Sequence, residues 1–520
     1  MNRFVLIGAG QTSASAARAL RREGFAGEVV IVGEEPHPPY QRPPLSKEYL
    51  QGAAPLSDVW SVDPAWYDEN KVELRLGVEA MEIDRGSRDV ILEDGSRIQG
   101  DAVLIATGGR ARRLPDLEGE RILYLRNLED CEKLRTHLGP DRHLVVVGAG
   151  FIGSEVSASA RAAGGQVTVL EALEEPMERV LGKELGAVTA AVHRYHGVDL
   201  RTGTGMDSIE ETSQGVVVRA TTGEGFEGDA VVVGIGMQPN VEIARVSEIT
   251  VGNGIRVDEF CRTSLEGVFA AGDVANHYHP IFDRRMRVEH FDNATRHGTA
   301  AARNMLGIRT PYVDAHWFWS DQYDHSYQYV GHAEKWDATV VRGSIKDREF
   351  VVFYMLDGLV EAAFAIDKGA DVVVAKSLIT ERRKIDPSVL ADEDQDLGEL
   401  LVPPEPEADP VPVGPDALGT FVRAARSGQV PEGIVRRFEV EGVELAIARY
   451  QGRAFALHNL CTHLACHLAS GKVDNGGLIC LCHGSVFDLA TGEPTNPPAT
   501  RPVRTYPVKE ENGQVYVSLR

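Results

Sequence analysis

FVLIGAGQTSASAARAL, Phe4 to Leu20, decides how the first half of this chain folds. A short apolar run, Phe4 to Ile7, stops at Gly8-x-Gly10-x-x-Ser13, and an alanine-rich stretch free of glycine and proline follows. That order predicts a buried strand, a tight turn and a helix, the context in which a glycine loop cradles a dinucleotide. Gly8 permits the turn and Gly10 lets the backbone approach a pyrophosphate. Ser13, where glycine is usual, is still small enough for the helix to pack on the strand. The next apolar run, EVVIVGEE, ends in Glu34, placed to accept hydrogen bonds from ribose hydroxyls.

The pattern recurs in HLVVVGAGFIGSEVSASARAAGGQVTVLEALEE from His143, with Gly148-x-Gly150-x-x-Gly153 in the turn and Glu171 at the end of the second strand. Two such units predict two dinucleotides, the second held by Gly148, Gly150, Ile152, Gly153 and Glu171. A carboxylate at Glu171 accepts from a ribose 2′-hydroxyl and repels a 2′-phosphate, so NADH is expected rather than NADPH.

Composition bounds the rest. At 520 residues the chain is too long for one hydrophobic core. Its hydrophobic fraction of 43% and charged fraction of 25% are those of a globular protein. No apolar run reaches the roughly 18 residues of a membrane span, and the opening apolar burst turns at once into a glycine loop, so a cytoplasmic protein is expected. A net charge of −23 argues against nucleic-acid or anionic-membrane partners, which need basic patches; it reads either as a face for a docking partner that is basic where it touches or simply as the charge that keeps a large protein soluble. Of six cysteines, Cys131 and Cys261 stand alone and read as small buried hydrophobes, while the others crowd into Leu460 to Ser485.

Several further stretches complete a pattern: PYQRPPLSK from Pro39, IATGGRARRLP from Ile105, TSLEGVFAAGDVA from Thr263 and WFWSDQYD from Trp317. With the two glycine loops, these resemble the two-dinucleotide flavoprotein reductases, and within them the NADH-dependent ferredoxin reductases of oxygenase systems. The resemblance implies a double-Rossmann α/β reductase with an α+β C-terminal domain. FAD would lie in the first unit against Gly8, Gly10, Ser13, Glu34, Arg42, Lys47, Thr107, Gly272 and Asp273. Lys47 would sit near the reactive edge of the isoalloxazine and Glu155 near the nicotinamide, and these two carry the expected catalytic roles. The helix entered through DNATRHGTAAARNML would aim its N-terminus at the flavin pyrimidine end. The implied domains are 1–112 with 240–312 for FAD, 113–239 for NADH and 313–388 as the closing reductase domain. Disulfide reductases of this superfamily carry a cysteine pair beside the flavin, and no pair precedes Cys461.

ADEDQDLGELLVPPEPEADPVPVGP, from Ala391, is acidic and proline-rich, and 389–418 reads as an extended tether. Beyond it, short strand-like runs broken by turns predict a small all-β domain over 419–520. Inside that domain stand Cys461-x-His463 and Cys480-x-x-His483. Two thiolates and two imidazoles could hold zinc, but a one-residue Cys-x-His spacing in a loop is unusual for a structural zinc site. The pattern resembles the Rieske [2Fe-2S] domain, where one iron takes two cysteines and the other two histidines. By that resemblance, Cys466 and Cys482 stand where respiratory-type Rieske proteins carry a disulfide, although in a reducing cytoplasm they could simply pack as hydrophobes. Ser485 matches a hydroxyl that hydrogen-bonds a cluster sulfide, and Phe487 replaces a tyrosine donor, which implies an intermediate potential. His467 is expected at the surface, outside the ligand set.

The whole then reads as a fused reductase and ferredoxin. Electrons would pass from NADH to FAD, to the Rieske cluster, and on to an external acceptor protein, a Rieske hydroxylase or a P450. The alternative is a redox-signalling flavoprotein resembling apoptosis-inducing-factor-like proteins, which usually place the Rieske domain first.

Overall fold

In the first sheet the residues of FVLI divide between two cores. Phe4 and Leu6 pack with Ala16, Ala17 and Leu20 of the helix Gln11–Arg22 and with Ala301 and Met305 of the helix Phe291–Met305. Val5 and Ile7 face the other way, onto Ile83, Val90 and Ile98. A strand covered on both faces has no polar side, which is why the run is continuously apolar.

The computed structural model describes residues 2–519 except 116, 402–420, 463–466, 475, 481–484, 497–498 and 500. The chain divides into two compact units, Met1–Gly369 with Ile379–Lys384, and Ala370–Leu378 with Ile385–Arg520.

The first unit holds two copies of one plan. In the first copy a parallel sheet runs Val268–Ala270, Ala102–Ile105, Arg3–Ile7, Glu28–Gly33, Val72–Leu76, and a three-stranded antiparallel sheet, Ala80–Ile83 to Arg97–Ile98, intervenes before Ala102. In the second, the parallel order is Ile122–Leu123, Ala230–Val233, His143–Val147, Gln166–Leu170, Asp199–Arg201. There the antiparallel insert spans Met206–Glu211 to Gly225–Gly228. The division of side chains repeats as well. Leu144 and Val146 pack with Val156 and Ala160 of the helix Phe151–Ala162, and Val145 and Val147 with Val216, Val218 and Phe226 of the insert. Each copy therefore opens its first glycine loop at the C-terminal end of its central strand, the usual ligand edge of a parallel sheet.

A five-stranded antiparallel sheet follows, in the order Trp317–Gln322, His325–Gly331, Leu359–Ile366, Glu349–Leu356, Ala338–Ser344. Phe318, Tyr327, Tyr329, Tyr354 and Phe364 form its aromatic core.

In the second unit the helix Pro387–Ala391, capped by Asp386 accepting from the Ser388 N–H at 2.8 Å, is followed by the turn Leu397–Leu401. Leu390 and Leu397 are buried. The stretch expected to be a tether from 389 is thus structured up to 401. Its acidic composition hides apolar anchors spaced too far apart to show as a period, and 402–420 lie outside the described residues. From Val422 the unit is all antiparallel strand, in three sheets. The strand Val443–Tyr450 divides its side chains between two cores, Ala446 and Ala448 on one and Leu445 and Ile447 on the other.

Candidate functional site

The two glycine loops match in detail. Gly8 and Gly148 take φ of +107° and +98°, and a Cβ on either would fall 2.3 Å from the Ala106 carbonyl oxygen or 2.4 Å from that of Gly234. Only glycine fits both the turn and the neighbouring strand end. In front of Gly10 and Gly150 the opposite holds, for a Cβ there would meet nothing within 4 Å. The helices Gln11–Arg22 and Phe151–Ala162 begin at these open positions with no side-chain cap, so their first-turn N–H groups remain to be satisfied. An uncapped helix start beside an open backbone fits a pyrophosphate in each unit.

The other residues expected around the nucleotides are placed as follows. Ser13 is fully buried, and its hydroxyl has no protein partner. Glu34 is exposed at the end of its strand. Thr107 donates its hydroxyl to the Asn240 carbonyl at 2.7 Å, so it fastens the point where the chain re-enters the first copy. Ile152 is 45% exposed at the start of its helix, an apolar side chain left open on the loop. Glu171 accepts from the Ala149 N–H at 2.7 Å and the Leu173 N–H at 2.8 Å, bracing the second glycine loop.

A charged chain runs from Glu35 to Asp273. Arg42 donates to Glu35 at 2.7 Å, to the Tyr40 hydroxyl at 3.0 Å and to the Arg126 carbonyl at 2.6 Å, and Arg126 donates to Asp273 at 3.0 Å. Burial alone would raise the Glu35 carboxyl, but Arg42, Tyr40 and Arg126 together outweigh it and hold it below the usual carboxylate range. Burial also pushes the Tyr40 phenol well up, which keeps it a neutral donor to Glu35.

Lys47 and Glu155 meet in the interior. Nζ of Lys47 lies 3.0 Å from Oε1 of Glu155, with the two side chains only 8% and 5% exposed. The Ser46 hydroxyl donates to Glu155 Oε2 at 2.5 Å and the Ser320 hydroxyl to Oε1 at 2.7 Å, while Gln322 Nε2 donates to Ser320 at 3.0 Å. Three parts of the chain converge on one carboxylate: the turn Pro43–Ser46 with Lys47, the helix Phe151–Ala162 and the strand Trp317–Gln322. A buried charge pair is tolerated when its remaining lone pairs are satisfied, and here two hydroxyls satisfy them.

In the second unit Cys461 follows the strand Arg453–His458 and Cys480 follows Gly477–Ile479, and both are buried in one apolar cluster with Leu468, Leu478 and Phe487. Asn459 is fully buried and ties down Leu468 and Ala469. Its Oδ1 accepts from the Ala469 N–H at 2.8 Å, its carbonyl from the Leu468 N–H at 2.8 Å, and its Nδ2 donates to Glu444 at 3.1 Å. The Ser485 hydroxyl oxygen accepts from the Ala499 N–H at 3.0 Å, and its carbonyl accepts from the Cys480 N–H at 2.8 Å. With its oxygen already accepting, that hydroxyl has its proton to donate, the role expected of it beside an inorganic sulfide. Two soft donors in a dry pocket fit an iron–sulfur cluster. His463, His483, Cys466 and Cys482 lie outside the described residues. His467 is exposed, as expected, with Nδ1 3.0 Å from Asn459 Nδ2.

Residues 2–298 match the pyridine nucleotide-disulphide oxidoreductase family, 317–401 the reductase C-terminal family and 420–507 the Rieske [2Fe-2S] domain. The chain belongs to the pyridine nucleotide-disulphide oxidoreductase family. It is similar to rhodocoxin reductase of Rhodococcus erythropolis, 38% identical over 400 residues, 76% of this chain and 93% of that protein. The ferredoxin–NAD(+) reductase component of the anthranilate 1,2-dioxygenase system of Burkholderia cepacia is 37% identical over 392 residues, 75% of this chain and 97% of that one. Among solved structures, the covalent putidaredoxin reductase–putidaredoxin complex aligns with a TM-score of 0.75 at 35% identity, over 77% of this chain and 98% of that chain. The chain is an oxidoreductase that binds FAD and NAD(H), and its Rieske domain carries a [2Fe-2S] cluster.

The reductase portion has two thiols, far apart in sequence. Cys131 and Cys261 are buried and free, and burial raises both thiols, Cys131 to about 12. Among the described residues no helix is long and apolar enough to cross a membrane. Sequence reading misses Ser46, Ser320, Arg126 and Asn459. Serine, arginine and asparagine carry no periodic or spacing signal, and their roles come from partners distant in the chain.

Proposed function

We propose that this chain is a fused NADH:ferredoxin reductase and Rieske ferredoxin whose acceptor is a separate terminal oxygenase. The observation that carries the reading is the thiol inventory. The reductase half offers only two buried, high-pKa thiols, so no dithiol stands ready to take electrons. The same chain supplies a domain in which Cys461 and Cys480, the thiols we assign to the cluster, are buried in one apolar core. Relatives of the reductase half are named as components of oxygenase systems, which supports an oxygenase as acceptor.

When bound, FAD accepts a two-electron equivalent from NADH and can give electrons up singly, which a [2Fe-2S] cluster requires. The protein's part is to hold and orient. The loops at Gly10 and Gly150 hold the pyrophosphates, Arg126 positions Asp273 for the flavin's ribityl chain, and Glu171 shapes the NADH loop. Lys47 places a cation at the flavin, where it favours the more negative reduced form. Glu155, oriented by Ser46 and Ser320, fixes that cation and would keep a negative charge near the nicotinamide. Joining the ferredoxin to the reductase raises its local concentration to about the millimolar scale for a short linker.

Steady-state assays test this. Cys461→Ser should leave NADH-dependent ferricyanide reduction within about twofold and lower cytochrome c reduction by about tenfold or more. Undiminished cytochrome c reduction would exclude the cluster from the electron path.

A further inference from the structure

Behind the Gly272–Asp273 loop, the strand Ala275–His279 and the residue just before the strand Trp317–Gln322 bring three imidazoles together. His277, His279 and His316 each offer a ring nitrogen, and these three atoms lie within 4.8 Å of one another. The side chains are buried, at 0%, 0% and 3% exposure.

Their hydrogen bonding is what an aromatic core does not explain. His279 Nε2 bonds the Asp314 carbonyl at 3.0 Å, which requires the proton on Nε2 and leaves the Nδ1 lone pair without a partner. His316 Nε2 lies 3.1 Å from the Met286 sulfur, and its Nδ1 is likewise unpartnered. Among the described residues neither nitrogen of His277 has a hydrogen-bond partner. A buried polar atom left unpaired costs about 1–3 kcal/mol, so three such rings side by side are costly unless something accepts their lone pairs. Burial also pushes all three toward the neutral form, the form that ligates.

A ring with one N–H fixed on a carbonyl and its other nitrogen free, as in His279, is the usual arrangement of a metal-bound histidine. We propose that His277, His279 and His316 bind a divalent transition-metal ion of the zinc class. Imidazole-only donors suit zinc, copper or nickel, whereas magnesium and calcium take oxygen ligands. Tetrahedral zinc brings ligand nitrogens to roughly 3.3 Å from one another, within reach of small side-chain rotations. A fourth position is served by water. His297 accepts from the Gly272 N–H through Nδ1 at 3.3 Å, so its Nε2 carries a proton with no acceptor, and its ring centre lies 5.0 Å from that of His277. That N–H can donate to a metal-bound water.

The site would be structural. It joins the strand that follows the flavin loop to the strand that carries Ser320, and so fixes one of the two hydroxyls on Glu155. Because it is independent of the cluster loops, it can be tested apart from the electron path.

The experiment is metal analysis of the full chain, loaded with FAD and cluster and expressed with added zinc. About one EDTA-resistant zinc per chain is expected besides the cluster iron, retained in Cys461→Ser and lost in His277→Ala and in the His279→Gln/His316→Gln double variant, each checked for FAD content. Should neither variant fold, the wild-type chain stripped of zinc and titrated with Co2+ decides, since tetrahedral cobalt gives intense visible d–d absorption. Zinc below about a tenth of an equivalent with no cobalt spectrum, or zinc retained in both variants, would overturn the proposal.

Discussion

Nζ of Lys47 stands 3.0 Å from Oε1 of Glu155, joining the turn behind the first dinucleotide unit to the first helix of the second. The residues that the family resemblance assigns separately to flavin and nicotinamide therefore form one buried unit. Glu155→Ala would leave the Lys47 cation buried without its partner, a change that typically costs about 3–5 kcal/mol. The Lys47→Met/Glu155→Leu double variant should lose less than the sum of the two single changes. Urea unfolding of the FAD-loaded chain measures both, and additive losses would show that the pair is not coupled.

Glu171 accepts two backbone N–H groups of its own loop. Glu171→Ala should raise KM for NADH by about tenfold with a smaller change in kcat, because the loop that receives the pyrophosphate loses its brace. The wild-type chain should prefer NADH over NADPH by roughly a hundredfold in kcat/KM, from 2′-phosphate repulsion. An unchanged KM in the variant would place the dinucleotide away from this loop.

Much of this was readable in advance, and the reason is periodicity. FVLI and LVVV announce strands buried on both faces, the glycine spacing announces the turns, and the Cys-x-His and Cys-x-x-His pattern announces the Rieske domain. The Lys47–Glu155 contact was not readable, since each residue is marked by its own motif and nothing in either motif says that they touch. The same holds for Ser320, which lies in a strand of a different sheet, and for His316, which completes a group begun by His277 and His279. Leu390 and Leu397 are hidden by the acidic residues around them, so composition does not mark the buried anchors in that stretch.

Native-state alkylation should leave Cys131 and Cys261 unmodified. Both are fully buried, and with a thiol near 12 Cys131 has a thiolate fraction of roughly one in ten thousand at pH 8. Mass spectrometry after iodoacetamide treatment checks this. Rapid labelling of either would reopen a flavin-side thiol mechanism.

His193 is 2% exposed, with Nδ1 2.8 Å from the Tyr323 hydroxyl, and burial pushes it down to about 4. Between its ordinary range and 4 the unfolded chain binds a proton that the folded chain does not. Stability should therefore fall as pH drops from about 6.5 to 4, by on the order of 3 kcal/mol from this residue, and level off below. His193→Gln should flatten that slope in a Tm series across the same window. An unchanged slope would assign the acid sensitivity elsewhere.

In a fused reductase and ferredoxin, NADH electrons reach the Rieske cluster of the same chain. Anaerobic stopped-flow reduction by NADH, following flavin bleaching together with freeze-quenched EPR of the reduced cluster, tests it most directly. The flavin should bleach first and the cluster signal follow within a single turnover, at a rate independent of protein concentration, and Cys461→Ser should abolish the signal. A bleached flavin beside a cluster that stays oxidised would contradict it.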